Sequence, residues 1–210
     1  MASPLSLFND AWHRCDLLSA MHAYLANATS RVLNADEILR SEWVARVSAL
    51  DLYVHELVAQ RMVDIFEGRR VATDAFNKFM LPNDTLARIR TASTPDDARA
   101  AFDLEVRRQL GFVTYQSHES IAAGIRMIST AELWNAVAVY LGAAAPDVNR
   151  RAKAIRGQLS MIVERRNKIA HEGDMQPSAP RLPWPVAQAD LQTVRSFIFD
   201  VVRAIDAVVV

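Results

Sequence analysis

The chain has 210 residues, 51% hydrophobic and 23% charged, with six glycines and eight prolines; this is the composition of a packed protein and excludes a disordered or fibrous chain. Lys+Arg and Asp+Glu stand at 24 each, so there is no global attraction to nucleic acid or anionic lipid, and any nucleic-acid site has to be a local patch. Cys15 is the only cysteine, which excludes an intrachain disulfide and a cysteine-built zinc site and fits a reducing, cytoplasmic setting.

The length suits one domain over residues 1–210, since domains commonly run about 100–200 residues. Met1-Ala2-Ser3-Pro4 does not read as a secretory signal, because no basic stretch is followed by an apolar run. Apolar residues recur at helical spacing almost throughout, without a run of period-two alternation bounded by hairpin turns, so the expected fold class is all-α. A first helix is predicted from Leu5 to Leu33, with Leu7, Trp12, Leu17, Leu18, Met21, Leu25 and Val32 as its apolar stripe. Asn34-Ala35-Asp36-Glu37 has the form of a capping box. It opens a long helix bearing Trp43, Val44, Val47, Leu50, Val54, Leu57, Val58 and Ile65 and stopping near Gly68.

Short segments follow. Thr73 is placed to cap a brief helix through Phe79, and Pro82 to open another through Arg90. Thr94-Pro95-Asp96-Asp97 sets a cap, a proline at the first helical position and two acids against the dipole of a helix to Leu110. Another helix, with a kink or break around Ser129-Thr130, runs to Leu141 and is closed by Gly142. Pro146-Asp147 opens a helix from Val148 to His171 or Glu172, with Gly173 as its stop. Residues 173–187 hold Pro177, Pro180, Pro183 and Pro185 and form an irregular loop. The last helix runs from Gln188 to Ala207. The apolar C-terminal stretch from Phe197 to Val210 is interrupted by Asp200, Arg203 and Asp206. It is too short for the roughly 20 apolar residues that span a bilayer, so no membrane partner is expected.

The helix from Val148 concentrates the chemistry. Between Arg150 and Lys168 it carries Arg150, Arg151, Lys153, Arg156, Arg165, Arg166 and Lys168 against one acid, Glu164. In a neutral protein this local basic patch is a candidate for attracting phosphates and neutralising charge on a phosphodiester, against the plainer reading of a solvated face. The same helix ends in Glu164-Arg165-Arg166-Asn167-Lys168-Ile169-Ala170-His171-Glu172-Gly173-Asp174. At about 100° per residue, Glu164, Asn167 and His171 share one stripe, whereas Arg166 lies about 140° from His171. One helix therefore does not complete a site, and the arginine has to swing round or serve a partner chain's site.

Arg166-Asn167-Lys168-Ile169-Ala170-His171 resembles the HEPN motif, an arginine followed by a polar residue and then a histidine after four to six intervening positions. Arg165 also satisfies the spacing, but the residue after it is another arginine, so Arg166 is the better match. Ser48-Ala49-Leu50-Asp51-Leu52-Tyr53-Val54-His55-Glu56-Leu57-Val58 is similar to the early helix of the RiboL-PSP-type HEPN domains, and Arg166 to Asp174 to their late one. The resemblance implies a compact helical bundle that dimerises, bringing two motif helices across a shared cleft. It implies a metal-independent, cofactor-free endoribonuclease acting in defence, stress response or a toxin–antitoxin pair, with RNA and an antitoxin or effector protein as partners. Arg166, Asn167 and His171 carry the family's catalytic roles. The alternative is a non-catalytic HEPN module that binds RNA, a nucleotide or a protein.

Residue chemistry agrees with those roles. The 2′-hydroxyl of RNA is a poor nucleophile and the leaving 5′-oxygen needs a proton, which suits a histidine titrating near neutrality. Arginine offers a permanently cationic fork for phosphoryl charge. The expected products are a 2′,3′-cyclic phosphate and a 5′-hydroxyl; Asn167 either orients His171 or holds the phosphate, and Glu164 supports the stripe. His55, one turn after Asp51, reads as a satisfied core or interface histidine with Asp51 as its hydrogen-bond partner rather than as a metal ligand. Cys15 reads as a small apolar residue. No Gly-x-x-x-x-Gly-Lys, Gly-x-Gly-x-x-Gly or His-Glu-x-x-His pattern is present, so nucleotide hydrolysis, dinucleotide chemistry and zinc hydrolysis lack support.

Overall fold

The computed structural model describes residues 2–28 and 35–209. Among these residues the secondary structure is helical throughout, with one isolated antiparallel bridge between Met175 and Pro183; the fold is all-α. Helices α1 (Pro4–Ala28) and α2 (Asp36–Phe66) come first. Asn34 of the expected capping box lies outside the described residues, as do Val32 and Leu33 of the expected first helix. Glu37 Oε1 accepts from Arg40 Nη1 at 3.0 Å.

α2 is the central element, because its apolar residues are too numerous for one stripe. Val47, Leu50, Tyr53, Val54, Leu57, Val58 and Met62 are fully buried, each side chain of this size contributing roughly 1.5–3 kcal/mol when removed from water. Around it pack α1, α4 (Pro95–Leu110), α7 (Val148–Glu172) and α8 (Gln188–Val209). α3 (Asn83–Arg90) lies on α4, α5 (His118–Arg126) on α2 and α7, and α6 (Leu133–Tyr140) on α7 and α8.

The apolar stripe expected along the first helix is corrected. Phe8, Trp12 and Cys15 enter the core, but Leu17 is 64% exposed and Met21 is also exposed. The reason is angular: Leu17 and Met21 lie about 160° and 120° around α1 from the buried Cys15, while on the inner side, from Asp16 onward, α1 meets a charged network. Arg46, with no exposed surface, donates to Glu42 at 2.8 Å, to Asp16 at 2.6 Å and to the Trp12 carbonyl at 3.0 Å. Ser19 donates to Glu42 at 2.6 Å, and Arg195 of α8 reaches Asp16 at 2.8 Å. Burial raises the Cys15 thiol above its usual value.

The helix boundaries follow local chemistry. Thr94 Oγ1 accepts from the Asp97 N–H at 3.1 Å, and Pro95 begins α4. Thr73 Oγ1 accepts from the Phe76 N–H at 3.0 Å, but what it caps is only a 3₁₀ turn, Phe76–Lys78. The break expected at Ser129-Thr130 separates α5 from α6, with Ser129 Oγ accepting from the Ala131 N–H at 3.2 Å. Gly173 stops α7 with φ +63°, a left-handed conformation that costs glycine little. Asp174 follows at φ 57°, and its N–H donates to the Lys168 carbonyl at 3.0 Å.

Candidate functional site

α7 buries Ala152, Ile155, Leu159, Ile162 and Val163 against the core. This leaves Lys153, Gly157, Ser160, Met161, Glu164, Asn167 and His171 along the solvent side. The residues of the basic patch have different surroundings. Arg151 and Lys153 are exposed. Arg150 pairs with Asp147 at 2.8 Å and Lys168 with Glu164 at 3.1 Å, both at the surface, where such pairs contribute about 0–1 kcal/mol and yield readily to another anion. Arg156 lines a cleft of about 460 Å³ together with Arg126, Thr130, Trp134, Asn135 and Asn149.

Arg165 turns inward. Its Nη2 donates to Asp174 Oδ2 at 2.7 Å and to the Pro185 carbonyl at 3.1 Å. Arg40 of α2 donates to the same carboxylate oxygen at 3.0 Å and to the Trp184 carbonyl at 2.6 Å. Asp174 is fully buried, and its carbonyl accepts from the Trp184 N–H at 2.8 Å. Arg165, Arg40 and Asp174 thus tie the end of α7 and the proline-containing loop to α2.

Arg166 points a different way. Its Nη1 donates to Asn167 Oδ1 at 2.9 Å and its Nη2 donates to Gln116 Oε1. Gln116, just before α5, donates through Nε2 to Asp51 Oδ2 of α2 at 3.0 Å, and Asp51 Oδ1 accepts from the Tyr115 N–H at 2.5 Å. His55 Nε2 stands 3.5 Å from Asp51 Oδ1, with its ring edge-on to Tyr115 at 4.7 Å between centroids. Burial, and after it the Asp51 charge, push the Tyr115 phenol up to about 12. The structure therefore brings Arg166 and Asn167 together. The His171 side chain, exposed at the end of α7, is hydrogen-bonded to neither of those side chains.

A family model described as RiboL-PSP-HEPN matches residues 10–210. The chain belongs to the RiboL-PSP-HEPN family. No curated protein and no solved structure matches it. In this RiboL-PSP-HEPN chain the early-helix segment and the late motif are physically connected, since Asp51 and Arg166 hydrogen-bond to the nitrogen and the oxygen of one glutamine amide.

Gln116 has no counterpart among the residues that the sequence singles out. Its segment before α5 carries no motif, and its hydrogen bonds join positions 50 and 65 residues apart. One local signal is Gly124: a Cβ there would lie 2.5 Å from the Tyr115 ring, so the glycine lets that ring pack against α5. On the other side of Asp51, a cleft of about 480 Å³ is lined by Ser48, His55, Glu56, Arg107 and Thr114. Arg107 there is paired with Glu56 at 2.7 Å and Asp103 at 3.0 Å. Among the described residues of this RiboL-PSP-HEPN chain no group of three or more His, Cys, Asp or Glu could hold a metal ion, and no helix is long and apolar enough to cross a membrane.

Proposed function

We propose that this RiboL-PSP-HEPN chain is an endoribonuclease that works as a homodimer without a metal, with Arg166, Asn167 and His171 as its reacting groups. The observation that carries the reading is the state of Arg166: it is held by two neutral carbonyl oxygens, those of Asn167 and Gln116, beside the solvent-facing side of a basic helix. A guanidinium has five N–H donors and no acceptor. Fixed in this way, it keeps both its charge and spare donors for a phosphate.

In the proposed reaction the 2′-oxygen forms a bond to the adjacent phosphorus while the bond from phosphorus to the 5′-oxygen breaks. The 2′-hydroxyl loses a proton and the 5′-oxygen gains one, leaving a 2′,3′-cyclic phosphate and a 5′-hydroxyl. One imidazole cannot be base and acid at the same moment, so two copies of His171 across a dimer divide the two transfers. Arg166 stabilises the phosphoryl oxygens as charge builds on them, and Asn167 keeps the guanidinium turned toward them. Lys153, Arg151, Arg150, Arg156 and Lys168 attract the flanking phosphates. Arg165, tied to Asp174, contributes to the field rather than touching the RNA. The biological setting is defence, stress response or a toxin–antitoxin pair, with an antitoxin or effector protein as the controlling partner.

The test is incubation of purified protein with total RNA in the presence of chelator, beside His171→Ala. Fragments ending in cyclic phosphate from the wild type alone support the reading. One observation favours a second reading, a non-catalytic RNA-binding module. His171 has no hydrogen-bond or ion-pair partner among the described residues to fix its tautomer. RNA that is bound but left intact in the same assay identifies that case.

A further inference from the structure

We propose that Gln116 is a positioning residue that aims Arg166 without neutralising it, and that Asp51 orients Gln116 for this task. The catalytic consequence of this role rests on the ribonuclease reading, but the structural one does not.

Hydrogen-bonding capacity dictates the orientation of each group. An ionised carboxylate only accepts hydrogen bonds and a guanidinium only donates them, while a glutamine amide does both from opposite corners. Asp51 Oδ2 lies 3.0 Å from Gln116 Nε2, so the amide has to present its NH₂ there. That leaves Oε1 facing Arg166, the orientation observed. The reversed amide would set carbonyl against carboxylate and NH₂ against guanidinium, two repulsive pairings at once. Asp51 is itself fixed, because its other oxygen accepts from the Tyr115 backbone N–H at 2.5 Å. Gln116 is buried, which strengthens these hydrogen bonds relative to water.

The choice of an amide also has an electrostatic meaning. The neighbouring Arg165 ends on a carboxylate, as do Arg46, Arg69, Arg107 and Arg108. Arg166 is separated from Asp51 by the width of one neutral amide group. Asp51 polarises the amide and makes its oxygen a better acceptor, yet the guanidinium retains its net charge. A glutamate at 116 can still accept from Arg166, but it adds a negative charge beside the guanidinium and sets a second carboxylate against Asp51. A purely structural role makes no such distinction.

The experiment compares wild type, Gln116→Ala and Gln116→Glu in three measurements. The first is ¹⁵N-resolved NMR of arginine side chains. Arg166 shows slowed guanidinium rotation in the wild type and in Gln116→Glu, and loses it in Gln116→Ala and Asp51→Asn. The second is the salt dependence of binding to an uncleavable single-stranded 2′-deoxy oligonucleotide. In Gln116→Glu the slope of log K against log salt falls by about 0.7, as when one phosphate is no longer neutralised. The third is cleavage: both variants fall at least tenfold, while Gln116→Ala adds nothing further when Arg166 is already alanine.

Wild-type cleavage by Gln116→Glu, or Arg166 mobility unchanged in Gln116→Ala, overturns the proposal. So do multiplicative losses in the double variant. If no form cleaves RNA but the NMR pattern holds, the ribonuclease reading fails and the positioning role stands. If the wild type cleaves and Gln116→Ala cleaves equally, the reverse is true.

Discussion

Arg165 Nη2 and Asp174 Oδ2 lie 2.7 Å apart with the carboxylate fully buried. The next residue, Arg166, meets no carboxylate among the described residues and bonds to two amide oxygens. A step of about 100° around α7 separates the two directions. One arginine therefore fastens the helix end and the loop to α2, and the other stays charged at the site.

That division predicts opposite phenotypes. Asp174→Ala leaves both Arg40 and Arg165 without their shared carboxylate, and breaking a buried pair of this kind costs about 3–5 kcal/mol. Arg166→Ala removes two hydrogen bonds at a half-exposed position, each worth about 1 kcal/mol. Urea denaturation should rank Asp174→Ala well below Arg166→Ala. Equal midpoints would show that Asp174 does not secure the loop.

Much of the fold is legible in the sequence because its signals are local. Thr94-Pro95, Gly173 and the 173–187 prolines act within a few residues of themselves, and α4, α7 and the loop fall where those signals put them. The first helix departs from its pattern because periodicity registers apolar residues but not their neighbours. Leu17 and Met21 repeat with Leu25, yet the face that is buried carries Phe8, Ala11, Trp12 and Cys15, and Leu17 and Met21 lie more than about 100° around α1 from Cys15. Arg166 and Asn167 are visible as a motif on one helix. Gln116 is not, since its meaning comes from two residues far away in the chain. The spacing of Asp51 and His55 pairs them on one helix, but it cannot show that Asp51 also holds the Tyr115 N–H and Gln116.

Acid should unfold the protein partly through Glu105. Hydrogen bonds from Arg108 above all, then from Gln109, hold its carboxyl down to about 2 against an ordinary 4.5. A depressed carboxyl stabilises the folded state above the unfolded value, and that stabilisation disappears as pH falls through the folded one. The denaturant midpoint should therefore fall between about pH 4.5 and pH 2, and Glu105→Gln should flatten that part of the profile. An unchanged profile in the variant would locate the acid sensitivity elsewhere.

The proposed homodimer has a surface to test. Met161 is 66% exposed and stands on the same side of α7 as Ser160, Glu164 and Asn167; at Gly157 a Cβ would meet nothing within 4 Å. A charge placed in a buried apolar interface is strongly unfavourable. Met161→Glu should yield a folded monomer by light scattering and lose most cleavage. A dimer that persists with full activity would move the interface to another face.

Replacing Arg150, Arg151 and Arg156 together should weaken RNA binding and reduce the salt slope. The reduction should be about 0.7 for each single-strand phosphate that is no longer neutralised. Because the surface pair of Arg150 with Asp147 yields readily to another anion, all three arginines are expected to contribute. Filter binding across a salt series reads this directly, and an unchanged slope would mean that the basic face is merely solvated.

If Arg166 and His171 cleave RNA through its own 2′-hydroxyl, one assay reads every part of that chemistry. It is cleavage of an end-labelled oligonucleotide, in chelator, by wild type, Arg166→Ala and His171→Ala, beside the same strand with a 2′-deoxy sugar at the scissile nucleotide. The wild type should give a 2′,3′-cyclic phosphate product, and His171→Ala should be slower by roughly 10²–10⁴-fold, as for other removed acid–base groups. Arg166→Ala should be slower by at least about 10²-fold, as when one preorganised donor to a developing oxyanion is removed, and the deoxy strand should stay intact. Wild-type rates in His171→Ala, or cleavage that survives the 2′-deoxy substitution, would contradict this mechanism.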